Sequence, residues 1–79
     1  MHRIKAEEVE EAIRKAARES LEYSIKDGGL FAYKYTGAEL DVLGRVAEDL
    51  GFRRLAKVLN RKSAKMWNKA TAMIREGVL

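Results

Sequence analysis

The residues able to do chemistry are unevenly spread along this chain. The stretch NRKSAKMWNK, residues 60–69, carries four cations, no acid and the only tryptophan, Trp67. A lysine ammonium can donate to guanine and an asparagine amide can pair bidentately with adenine, so Lys65 and Asn68, beside the small Ala64, are the expected base contacts. Arg53, Arg54, Lys57, Arg61, Lys62, Ser63, Lys69 and Thr71 surround them as donors for phosphates, which set register and affinity without reading sequence. Residues 51–75 contain no Asp or Glu. Residues 1–49 hold eight Lys/Arg against eleven Asp/Glu, a net of −3, whereas residues 50–79 hold eight against one, a net of +7. A chain that pairs its charges freely and then stops is expected to meet its anions in a partner, and double-stranded DNA is the expected one. RNA modules usually show exposed stacking aromatics or glycine-rich clamps. The alternative is a small helical adaptor or dimer whose basic face binds an acidic protein.

Enzyme chemistry has little to work with. His2 is the sole imidazole and sits at a terminus expected to fray, a poor place for a general base or metal ligand. Glu7, Glu8, Glu10 and Glu11 read as a solvated, ion-paired face, since no His accompanies them. Gly28 and Gly29 are not followed by the Gly-Lys-Ser/Thr of a phosphate-cradling loop. The chain has no Cys, which removes disulfides, thiolate nucleophiles and zinc-finger ligands and fits a reducing compartment. No catalytic residue, metal, cofactor or small-molecule ligand is expected. No apolar run approaches the roughly 18 residues that span a bilayer, and the first residues lack a signal-peptide core, so a soluble cytoplasmic protein without a membrane partner is expected. The lack of Pro and Gln beside a charged fraction of 35% resembles the bias of proteins from hot environments.

Helices must position these side chains. At 79 residues the chain, 1–79, is a single domain with room for one small core. Residues 4–26, rich in Glu, Ala, Arg and Lys, predict a long helix with Glu10 to Arg14, Glu11 to Lys15 and Glu22 to Lys26 paired four apart. Asp27-Gly28-Gly29 stops it. Residues 30–35, LFAYKY, read as a loop whose Phe31, Tyr33 and Tyr35 pack on the core. Thr36 and Glu39 have capping-box spacing and open a second helix to Leu50, with Leu40, Leu43, Val46, Ala47 and Leu50 buried. Gly51 ends it, and residues 52–59 form a short third helix with Phe52, Leu55, Ala56 and Leu59 inward. Asn60 is read as a turn. A fourth helix, 62–76, keeps Met66, Ala70, Met73 and Gly77 inside, flanked by Ser63 and Ile74, and turns Ala64, Lys65, Asn68, Thr71, Ala72 and Arg75 out. Trp67 falls at the border of the inner face. The expected fold class is all-α with four helices.

Residues 36–79 also carry a family resemblance. Glu39-Leu40-Asp41-Val42-Leu43, Val46-Ala47-Glu48 with Leu50, Leu55-Ala56, Leu59-Asn60, Met66 with Asn68, and Met73-Ile74 before the closing Gly-Val-Leu resemble the helix-turn-helix domain of LuxR-type transcription regulators and of region four of bacterial sigma factors. The resemblance implies a tri-helical helix-turn-helix unit over 36–79 behind the long N-terminal helix. It also implies sequence-specific duplex DNA binding by a small transcription regulator that inserts helix 62–76 into the major groove. Arg61-Lys62-Ser63 and Lys65 stand where the family often has a small apolar residue and then Ser or Thr, so its base-reading code does not transfer to them.

The first helix has an Ala-rich seam, and a chain this small buries a long helix poorly against three short ones. Val9, Ile13, Ala16, Ala17 and Leu21 are therefore expected to make a homodimer contact. Two-fold symmetry would then set two recognition helices about 34 Å apart.

Overall fold

The computed structural model describes residues 4–77. It holds three helices, α1 (Ala6–Asp27), α2 (Leu30–Asp49) and α3 (Arg53–Arg75). The expectation of four is corrected in two places. Residues 30–35 are the start of α2 rather than a loop, and Asn60 lies inside α3 rather than at a turn. The separate helices 52–59 and 62–76 therefore do not exist, and no helix-turn-helix unit forms over the described part of 36–79.

A seven-residue repeat explains the continuity. Leu30, Gly37 and Gly44 recur every seven residues on α2, interleaved with Tyr33, Leu40 and Ala47. Ala56, Ser63 and Ala70 do the same on α3, interleaved with Leu59, Met66 and Met73, and all of these residues are buried or partly buried. An unbroken helix keeps both sets on one seam, whereas a turn at Thr36 or Asn60 would throw half of each set out of phase.

The helix ends are set by backbone chemistry. Gly28 adopts the left-handed conformation, φ 67°, and its N–H donates to Ser24 O at 2.8 Å, closing α1. Gly51, φ 88°, ends α2 in a Schellman motif: Phe52 N–H donates to Ala47 O at 2.8 Å and Gly51 N–H to Glu48 O at 3.0 Å. The same turn swings Phe52 onto the core. With such short connections, α1 and α2 are antiparallel, α2 and α3 are antiparallel, and α1 runs alongside α3 in the same direction.

The α2–α3 contact is the larger interface. Its small residues let the backbones approach, since a Cβ on Gly37 would lie 3.0 Å from Trp67 Nε1 and one on Gly44 2.5 Å from Asn60 Oδ1. Leu40, Leu55, Leu59, Ile13 and Met66 fill the core with Ala17, Ala47 and Ala56. Val46 and Leu50, expected inside, are exposed. Four buried polar residues stitch the helices. Thr36 Oγ1 donates to Ser20 O at 3.0 Å, tying α2 to α1, and Ser63 Oγ donates to Gly37 O at 2.7 Å, tying α3 to α2. Ser20 Oγ donates to Glu39 Oε2 at 3.3 Å, and Ser24 Oγ, whose bond to Leu21 O at 2.9 Å stays within α1, also reaches Met66 Sδ of α3 at 3.6 Å. Each hydroxyl buried without such a partner would cost about 1–3 kcal/mol. The product is a rod of 52 × 21 × 14 Å whose radius of gyration, 14.1 Å, exceeds the roughly 12 Å of a compact domain this long.

Candidate nucleic-acid interface

The core seam of α3 leaves the opposite side of the helix to solvent. At 100° per residue, burying Leu55, Ala56, Leu59, Ser63, Met66 and Ala70 points Arg54, Lys57, Arg61, Ala64, Lys65, Asn68, Ala72 and Arg75 outward, and all eight are exposed. From Arg54 to Arg75 this face runs about 32 Å at 1.5 Å per residue. Because α3 is continuous, five of the cations expected on two separate helices, Arg54, Lys57, Arg61, Lys65 and Arg75, fall on one straight face.

The expected site residues sort clearly. Ala64, Lys65 and Asn68 sit together at the middle of the face. Arg54, Lys57 and Arg61 lie on it, Thr71 and Arg53 sit exposed on the shoulder next to α2, and Lys62 sits on the shoulder next to α1. There Arg54 and Lys62, with Arg14 and Arg18 from α1, rim a groove of about 280 Å³ floored by Ala17, Leu21, Leu55, Val58 and Leu59. Lys69 places its Nζ 5.5 Å from the ring centroid of Tyr33, a cation–π contact that holds its stem against α2. Ser63 leaves the phosphate-contacting set: it is buried, and its hydroxyl is spent on Gly37 O.

The charge pattern is polarised between helices. On α1, Arg14 meets Glu10 at 3.6 Å and Arg18 meets Glu11 at 3.6 Å, and on α2 Arg45 meets Asp41 at 3.2 Å. Of the other expected pairs, Glu11–Lys15 does not form because Glu11 turns to Arg18 at 3.6 Å, and Glu22 and Lys26 do not pair either. Among the described residues, none of the eight α3 cations has a carboxylate partner. Arg53 and Arg54 occupy the first turn of α3, which has no acid and no side-chain cap. Positive charge there opposes the helix dipole and costs roughly 0.3–1 kcal/mol per residue.

The surface expected to join two copies is used within the chain. Ile13 and Ala17 are core residues, and Val9 and Leu21 pack against that core. Ala16 lines a groove with Tyr23, Tyr35 and Glu39. This corrects the reading of the α1 seam as a free dimer face. Trp67, 40% exposed, lies over Gly37, so the indole caps the spot where α2 lacks a side chain. The sequence reading missed the outer face of α2: Phe31 is 80% exposed and Tyr35 63%, and of the three clustered aromatics Tyr33 alone packs against the core. An i, i+4, i+7 reading of residues 31–46 as helix would have found that stripe.

His2 lies outside the described residues. Among the described residues no group of three metal-ligating side chains comes together, and no helix is long and apolar enough to cross a membrane. No family model, curated protein or solved structure matches this chain.

Proposed function

We propose that this protein binds duplex DNA along the outer face of α3. The observation that supports the reading is the run of eight cations over 23 residues with neither an acid nor an ion pair among them. A face built only for solubility gains from interleaved acids, as α1 has, and does not put Arg53 and Arg54 at the positive end of a helix. Duplex phosphates supply the missing anions. Arg54, Lys57, Arg61, Lys62 and Arg75 contact backbone, and Arg53, Lys69 and Thr71 reach it from the flanks. Lys65 and Asn68 meet base edges at the centre, where Ala64 and Ala72 leave room for approach. The B-form major groove, about 12 Å wide, admits a helix, whereas the A-form major groove of RNA does not. The tri-helical unit that the family resemblance implies does not form over the described part of 36–79, so the face of α3 supports duplex binding and not, by itself, regulation of transcription.

The test is duplex binding across a salt titration. Seven cationic phosphate contacts give a slope of log affinity against log salt of about −6. Asn68→Ala should weaken the preference among sequences while leaving that slope in place. A chain that ignores duplex at low salt but retains an acidic protein partner overturns the reading in favour of an adaptor.

A further inference from the structure

The outer face of α2 is the opposite of α3 in character. Phe31, Tyr35, Ala38, Val42 and Val46 follow one another at helical spacing and are all exposed, with Leu50 continuing the line at the helix end. Val42, near the middle, is 58% exposed. None of these side chains is needed by the core of a single chain. The molecule exposes 6039 Å², against about 4,900 Å² for a compact monomer of 9.0 kDa. An apolar stripe of this length on a rod with surplus surface marks a contact rather than a solvated face.

We infer that the outer face of α2 docks on the same face of a second copy, the two helices antiparallel across a two-fold axis near Ala38. Three observations choose this occupant. The charges beside the stripe are self-complementary: exposed Lys34 stands near its amino end and exposed Glu48 and Asp49 at its carboxyl end, so the antiparallel arrangement brings each end against its opposite. Between the ends, Arg45 is already paired with Asp41 at 3.2 Å and adds no net charge beside the stripe. The geometry also fits, because Ala38 is midway between Phe31 and Val46. Its small side chain allows close crossing while Phe31 of each copy reaches Val46 of the other and Tyr35 reaches Val42. Tyr35 is held in place by the edge of Tyr23, ring centroids 6.1 Å apart at 79°, so little side-chain freedom remains to be lost on docking. Finally, the stripe offers on the order of 500 Å² of apolar surface per copy, and twice that for the pair approaches the lower end of specific interfaces.

The contact leaves α3 free, so it stands or falls separately from duplex binding. The chain has no cysteine, which makes a single-site cross-link clean. A residue near a two-fold axis meets its own copy, so Ala38→Cys should form a covalent dimer under mild oxidation, while Ala12→Cys on α1 and Ala64→Cys on α3 should not. Light scattering at tens of micromolar should give the mass of two chains, and Val42→Glu should raise the dissociation constant at least tenfold with unchanged helicity. Lys34→Glu should weaken the pair, and adding Glu48→Lys should restore it. A monomeric mass for the unmodified chain overturns the inference. So does a dimer that survives Val42→Glu, or one that cross-links through position 12 or 64 in preference to 38.

Discussion

α1 and α3 run side by side, differ by one residue in length (22 and 23) and are both rich in charge, yet they handle that charge in opposite ways. α1 interleaves acids with bases, places Glu7 and Glu8 in its first turn and Lys26 in its last, and closes ion pairs along its surface. Each of those choices favours the isolated helix. α3 makes only one of them, with Arg75 in its last turn. It has no acid, starts on two arginines and carries like charges four apart at Arg53 and Lys57, at Arg61 and Lys65, and at Lys65 and Lys69. Its stability comes from the buried seam of Leu55, Ala56, Leu59, Ser63, Met66 and Ala70. A helix that leans on its core for stability can afford an outer face matched to an external partner. A helix with a shorter buried stripe, as α1 has with Ile13, Ala17, Ser20 and Ser24, balances its own charge.

Charge reversal breaks this contrast most strongly. Converting Arg61 and Lys65 together to Glu should lower duplex affinity by about 100-fold at moderate salt, and thermal stability should hold or rise as like charges are removed. The matched reversal of Arg14 and Arg18 on α1 should cost far less affinity while leaving Glu10 and Glu11 among like charges. Fluorescence anisotropy with a labelled duplex separates the two. Equal losses would mean that net charge, rather than the face of α3, governs binding. A smaller effect sharpens the assignment of a single residue: Ser63→Ala should cost about 1 kcal/mol in urea unfolding, for the lost bond to Gly37 O, and leave duplex affinity unchanged. The reverse result would return Ser63 to the phosphate contacts. The smallest effect is expected on α1, where Glu10→Gln removes an exposed pair at 3.6 Å and should change stability by no more than about 0.5 kcal/mol. A loss above 1 kcal/mol would show that α1 depends on its charges more than an exposed pair allows.

Much of the fold was legible before any coordinates. The long first helix, its stop at Gly28 and the stop at Gly51 follow from composition and from glycine's access to positive φ. The outward set of α3 and the inward Leu55, Ala56, Leu59, Met66 and Ala70 follow from helical periodicity. Two local signals misled. Thr36 and Glu39 looked like a capping box, but Thr36 is buried mid-helix with its hydroxyl on Ser20 O, a partner sixteen residues away. Asn60 looked like a turn residue, yet it faces Gly44 within an unbroken helix. Both errors come from weighing single residues with weak turn preference above the seven-residue repeat that runs through them, although burial of a continuous seam outweighs a few tenths of a kcal/mol of propensity.

The all-helical character, the helix stops and the concentration of positive charge after residue 50 were present in the order of the amino acids, because each depends on local backbone preference or on charge alone. Which apolar stripe meets which depended on the closure of the bundle. Val9, Ile13, Ala17 and Leu21 suit a second copy as well as they suit α2 and α3, and short connections of two and three residues settle the matter by holding the intramolecular seam at high effective concentration. Once α1 is taken up inside the chain and Gly37 and Gly44 have drawn α3 close, Phe31, Tyr35 and Val42 are left outside. The spacing within α2 marks that stripe, but only the closure of the bundle decides that it is the one left uncovered.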